Sequence, residues 1–211
     1  MPEAGNAARE AILRRIRKAN AEADAGAIAY AEIERGYQQA AELNATMLVE
    51  LFMERLREYD AQVHEAETTN VTEMFANVLT ANGMKGALVA QGFPRQWLPK
   101  GFAWNAEASA DTSAMNRAAG AVVVCEVAIA HTGSIVVKGS RRLTLLPDRL
   151  LCVVREEQIV ETVPEAFARL EASAKDALTL ISGPSATADI EMTRIRGVHG
   201  PRFLDVVIVR S

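Results

Sequence analysis

Six side chains that can titrate or hydrogen-bond crowd into eighteen residues near the end of the chain: Ser185, Thr187, Asp189, Glu191, His199 and Arg202. They lie in two stretches, Ile181-Ser-Gly-Pro-Ser-Ala-Thr-Ala-Asp-Ile-Glu191 and Gly197-Val-His-Gly-Pro-Arg202, set between apolar runs. A strand ending at Ser182 and a Gly-Pro turn place Ser185 where a following helix needs its cap. In open α/β sheets ligands gather at the carboxyl ends of strands, and a helix N-terminus offers unpaired N–H groups to anions. On this reading a phosphate or carboxylate docks near Gly183, Ser185 and Thr187. Asp189, in the same first turn, satisfies the helix dipole itself and repels an anion at short range, so it takes a hydroxyl or cation, or anchors His199. A capped turn without a ligand, and a tight scaffold turn around His199, explain the same spacing. Both readings stay open on the residues alone.

A second candidate is Glu126 to Ser134, Glu-Val-Ala-Ile-Ala-His-Thr-Gly-Ser. A carboxylate inside an apolar run is paired, points from a strand end, or has a raised pKa suited to acid–base work. Glu126 is therefore a candidate base, with Asp189 and His199 as the other catalytic candidates. Thr132, Gly133 and Ser134 offer hydroxyls and backbone N–H groups to the same crevice, beside a small basic group of Lys138, Arg141 and Arg142. The residues expected to bind a ligand are Thr132, Gly133, Ser134, Gly183, Ser185, Thr187, Glu191 and Arg202. No Cys-x-x-Cys or Cys/His spacing suits zinc or an iron–sulfur cluster. Cys125 and Cys152 each sit in an apolar stretch and read as small core residues.

The elements that must position these groups follow from periodicity. Residues 44–59 place Leu48, Leu51, Phe52, Leu56 and Tyr59 on one helical face. A second helix starts at Asn70, whose cap pairs with Glu73, and ends at Asn82-Gly83. A third starts at Thr162 with Glu165 three residues on, and buries Phe167 and Leu170. Between them lie short apolar runs at 87–90, 121–130, 150–154, 178–181 and 203–209, whose β-branched content predicts strands buried on both faces. The alternation specifies a three-layer mixed α/β domain with a mostly parallel sheet. The three residues from His131 to Gly133 are too few for a crossover, so an antiparallel hairpin joins the strands around them. Residues 91–111 read as a long surface loop. Residues 1–43 form a helical arm with a narrow stripe of Ile12, Leu13 and Ile16, leaving 44–211 as the main domain.

Half of the 211 residues are apolar and the net charge is −4. Such a balance argues for a globular fold and against a phosphate-tracking, nucleic-acid-binding surface. The chain shows neither a run long enough to span a bilayer nor the layout of a secretory signal, so the expected location is cytoplasmic.

The motifs Ala130-His-Thr-Gly-Ser-Ile-Val136, Arg142-Leu-Thr-Leu-Leu-Pro147, Ile181 to Glu191 and Gly197-Val-His-Gly-Pro201, in this order, resemble those of the LutC-type lactate-utilisation proteins of the LUD-domain family. The resemblance covers roughly the C-terminal two-thirds of the chain. It implies the fold shared by ribose-phosphate isomerases, amino-sugar-phosphate deaminases and CoA transferases. It also implies a part in bacterial oxidation of L-lactate to pyruvate, with iron–sulfur clusters carried by partner proteins and no cofactor on this chain. The chain departs from the family pattern at His131, where the family has an acidic residue before Thr-Gly, so an acid–base role does not transfer there. The alternative is a stand-alone isomerase, deaminase or CoA-transferase-like enzyme, or a metabolite-sensing domain with a small-molecule pocket.

Overall fold

The structure, a computed structural model, describes residues 3–23, 29, 32–38, 41–188 and 194–210. The chain divides into two units, Met1–Tyr37 and Gln38–Ser211. The first contains α1 (Glu3–Ala23), whose Ile12 and Ile16 are exposed.

In the second unit six strands form one all-parallel sheet: β1 (Gln62–Glu67), β2 (Gly86–Val89), β3 (Ala103–Ala106), β4 (Ala121–Val124), β7 (Arg149–Arg155) and β12 (Phe203–Arg210). Their order is β1-β12-β7-β4-β2-β3. A second, mixed sheet has the order β8-β5-β6-β9, with β5 (Val127–Ile129), β6 (Ser134–Lys138), β8 (Ile159–Val160) and β9 (Leu178–Ile181). The expected hairpin is present, since β5 and β6 run antiparallel around His131 to Gly133.

Helix α2 (Ala45–Glu58) lays Val49, Phe52, Met53 and Leu56 into the core between the two sheets. Its Asn44 side chain accepts the Met47 N–H and closes the first turn. Helix α3 (Val71–Ala81) covers the opposite face of the parallel sheet with Phe75, Val78 and Leu79. Helix α6 (Val163–Leu170) covers the outer face of the mixed sheet. Two short helices, α4 (Thr112–Arg117) and α5 (Arg141–Leu145), complete the unit. Strand periodicity sorts the two cores: on β7, Leu150, Cys152 and Val154 face α2 while Leu151 and Val153 face α3.

Several expectations are corrected. The run 121–130 is two strands. Cys125 N–H still donates to Val153 O in the parallel sheet at 2.8 Å, whereas Glu126 N–H donates to Val136 O in the mixed sheet at 2.8 Å. The chain thus passes from one sheet to the other within one peptide, and β7 to β8 makes the same crossing alongside. Asn70 does not cap α3; its Oδ1 accepts the Glu67 N–H at 2.8 Å, because the strand end turns tightly there. Thr162 and Glu165 do form the reciprocal capping box, yet Phe167 is 60% exposed, since only Ala166 and Leu170 face the mixed sheet. Tyr59 lies just beyond α2 and is exposed. The segment 91–111 is no open loop: it contains β3 and buries Phe93 edge-on against Phe75.

No helix begins at Ser185. Residues Ala186–Ala188 form β10, paired antiparallel with β11 (Arg194–Arg196). With no helix there is no helix dipole to hold an anion near Gly183, Ser185 and Thr187.

Among the described residues, the parallel sheet buries one charged side chain. Asp205 on β12 is 1% exposed; its carboxylate accepts from Arg149 on β7 and meets His64 Nε2 on β1 at 3.0 Å. Removing one partner of a buried pair strands the other charge. Asp205→Ala should therefore lower the unfolding free energy by about 3 kcal/mol in urea titrations, and a loss below about 1 kcal/mol would show that Arg149 reaches water instead.

Candidate functional site

The residues singled out from the sequence fall into three places. The first is the hairpin. Thr132 donates to Ser134 Oγ at 2.8 Å, and Ser134 Oγ lies 2.7 Å from Ser182 Oγ, which joins the hairpin to the Ser-Gly-Pro-Ser turn through a hydroxyl chain that runs from half-buried Thr132 through buried Ser134 to exposed Ser182. Gly133 (φ +59°) and Gly183 (φ +82°) both press on the end of α2, where a Cβ would stand 2.9 Å from Arg55 Cβ and 2.6 Å from Tyr59 O respectively. Both glycines serve close approach and left-handed backbone.

The second place is a cavity of about 290 Å³ lined by Gly183, Ser185, His199 and Thr144, among others. Here the two C-terminal motifs lock together. Ser185 N–H donates to Pro201 O, Gly197 N–H donates to Ser185 O, and His199 N–H donates to Ser185 Oγ at 3.3 Å. The His199 ring is exposed. Arg202 is held by Asp148 through Nε and Nη2 and stacks beside Phe203, so its fork is occupied. Thr187 is exposed on β10, opposite Ile195. Asp189 and Glu191 lie outside the described residues.

The third place is a cleft of about 730 Å³ at the carboxyl ends of β2 and β4. After β2 the chain goes to β3 on one side, whereas after β4 the next strand of that sheet is β7 on the other. Such a divergence of connections opens a crevice that open α/β sheets use for ligands. Gln91 follows β2, Glu126 follows β4, and Glu107, Lys138, Ser140, Arg142 and Thr144 complete the polar wall. Glu126 is exposed at the crossing between sheets, with Oε1 3.5 Å from Ser173 Oγ. Lys138 is paired with Asp176 at 2.7 Å. Arg142 donates to Thr112 Oγ1 at 3.3 Å, and among the described residues no carboxylate pairs with it.

Glu126 and His199 therefore line different cavities, with Thr144 shared between them. Neither cavity is lined by Thr132, Gly133 or Ser134. Among the described residues, no three His, Cys, Asp or Glu side chains converge as a metal-binding group, and no helix is long and apolar enough to cross a membrane. Cys125 and Cys152 are buried in the core, as expected, and desolvation pushes both thiols up, with Cys152 adding to the shift at Cys125.

Sequence reasoning missed Gln91, Glu107, Ser140 and Thr144. For Gln91 a signal existed, the first polar residue after an apolar strand; the others reach the cleft only by folding. It also missed Glu161, which is 2% exposed. Glu161 accepts the Glu42 and Leu43 N–H groups at 2.7 and 2.8 Å and Gln38 Nε2 at 2.8 Å, with His131 Nε2 at 3.4 Å. Desolvation works to raise its pKa, but the Leu43 and Glu42 N–H groups, Gln38 and His131 outweigh it, so the carboxyl titrates below its ordinary value.

An open parallel sheet that feeds two of its strands into a second sheet, with a cleft at the divergence of its connections, is the architecture of an open α/β domain. The chain belongs to the LUD domain family, whose model matches residues 4–209. It is 35% identical over 181 residues to a protein of Deinococcus radiodurans called Lactate utilization protein C, covering 82% of this chain and 84% of that one. A protein of the same description from Macrococcus caseolyticus is 27% identical over 186 residues, covering 77% and 78%. The crystal structure of a DUF162 family protein from Deinococcus radiodurans superposes with a TM-score of 0.68 at 31% identity, over 79% of this chain and 99% of that one.

Two outcomes test this geometry. Gly183→Ala forces a side chain into left-handed backbone against Tyr59 and should cost at least about 1–3 kcal/mol in urea unfolding; an unchanged midpoint would show that the turn re-forms away from α2. Glu161→Ala should cost about 2 kcal/mol at pH 7, the scale of hydrogen bonds to a charged group. Because the folded pKa is depressed, the wild-type advantage is present above the unfolded value of about 4.3 and fades as pH falls through the folded one. Denaturation curves at pH 7 and pH 3 should therefore converge at the lower pH.

Proposed function

We propose that this protein is a component of a bacterial system oxidising L-lactate to pyruvate, in which it holds the hydroxy acid or organises partner proteins that carry iron–sulfur clusters. The observation that carries this reading is 35% identity across 84% of a protein named for lactate utilisation. The switch-point cleft supports it, because Arg142 there has guanidinium donors to spare for a carboxylate. The buried cysteines support placing the electron carriers on the partners, since a thiol held protonated by desolvation is a poor metal ligand. On this reading the protein works in the cytoplasm. The stand-alone enzyme with Glu126 as its base and His199 as its acid is less favoured, because the two line different cavities; the version with Asp189 as base falls outside the described residues.

Deleting the gene should abolish or strongly slow growth on L-lactate as sole carbon source while leaving growth on pyruvate intact, with rescue by the wild-type chain. Affinity purification from lactate-grown cells should recover proteins with iron–sulfur absorbance. A deletion strain that oxidises lactate at the wild-type rate removes the proposal.

A further inference from the structure

We propose that the switch-point cleft binds an organic carboxylate whose body is larger and more apolar than the methyl group of lactate, with Arg142 receiving the acid group. This rests on the lactate-utilisation reading, which supplies the hydroxy-acid class, and goes beyond it in naming the cleft, the anchoring residue and the size of the acid. Size is the first argument. At about 730 Å³ the cleft lies within the roughly 300–1,000 Å³ of sites that enclose larger organic ligands, and a three-carbon acid fills a small part of it.

Lining is the second. Ala90, Ala110 and Val124, each half-buried, give it an apolar floor, and Arg142 stands on its wall. Water over such a floor is released when an apolar body covers it, a gain that a methyl group barely collects. Charge is the third argument. Lys138 is neutralised by Asp176, so Arg142 is the cation of the cleft without a carboxylate partner among the described residues. Glu107 and Glu126 line the same cleft, and their charges oppose a phosphate dianion more than a carboxylate. They also accept hydrogen bonds, which suits a hydroxyl borne by the ligand.

The test is a titration of the full-length protein followed by amide NMR, with L-lactate, L-3-phenyllactate, phenyl phosphate and neutral 3-phenylpropanamide as probes. Phenyllactate should bind at least about tenfold more tightly than lactate and than the neutral amide, and should shift the amides of Gln91, Val124 and Ser140. Arg142→Gln should weaken phenyllactate about tenfold or more, whereas Arg141→Gln, on an exposed neighbour outside the cleft, should leave its affinity unchanged. The inference is overturned if lactate binds as well as phenyllactate, if Arg142→Gln has no effect, or if the shifts centre on Ser182 to His199. Phenyl phosphate binding more tightly than phenyllactate overturns the carboxylate assignment. Loss of lactate growth on gene deletion, with no acid binding the cleft, would leave the lactate reading standing and this inference refuted. Binding with normal lactate growth would do the reverse.

Discussion

The organisation of the main unit depends on the pair of backbone hydrogen bonds that divide at Cys125 and Glu126. One N–H completes the parallel sheet against Val153, and the next opens the mixed sheet against Val136. Gln158 takes the Cys125 carbonyl, so the peptide between the sheets keeps its polar groups paired. Because β7 and β8 cross beside β4 and β5, the two sheets share a seam. Helix α2 fills the space between them with Val49, Phe52, Met53 and Leu56. The same crossing brings Glu126 to the surface at the carboxyl end of β4. A residue that would otherwise be a buried charge thereby becomes part of a cleft wall.

Two buried carboxylates show how the fold handles charge it cannot expose. Asp205 lies inside the parallel sheet with Arg149 and His64 on the strands either side. Glu161 lies beside the hairpin and gathers Gln38, Glu42 and Leu43 through two backbone N–H groups and a side-chain amide. In both cases the donors come from residues far apart in sequence, and desolvation is offset by hydrogen bonds. These are scaffold interactions. The cleft charges, Arg142 and Glu126, are instead solvent-facing, on the wall between α5 and the strand ends.

Much of the fold was legible because apolar periodicity reports burial directly. The runs at 87–90, 150–154, 178–181 and 203–209 are strands, and the stripes of α2 and α3 face the cores as their spacing requires. What was illegible has local causes. Strand β1, Gln62–Glu67, alternates weakly because it is a sheet edge with one buried residue. A capping pattern at Asn70 was real in spacing but lost to a competing turn. The Ser-Gly-Pro-Ser segment carries the signature of a helix start, yet a ribbon strand follows it at Ala186–Ala188, and Ser185 is bound on both sides by the Gly197 to Pro201 turn. Of the buried carboxylates, Asp205 was recoverable by the same rule that singled out Glu126, a carboxylate within an apolar run. The partners of Glu161 left no trace in sequence.

By itself the sequence determined that this is an α/β chain with a mostly parallel sheet, that its two C-terminal motifs belong together, and that its motifs are those of the LUD family. These follow from residue type and spacing, which govern burial and backbone conformation over a few residues. Tertiary structure alone decided which polar groups share a space. It split Glu126 from His199, committed Arg202 to Asp148, and joined Gln91, Glu107 and Arg142 from three separate segments into one cleft. The reason is physical: hydrogen bonds and ion pairs form wherever chain crossing brings partners within reach, and no local pattern records where a strand will leave its sheet.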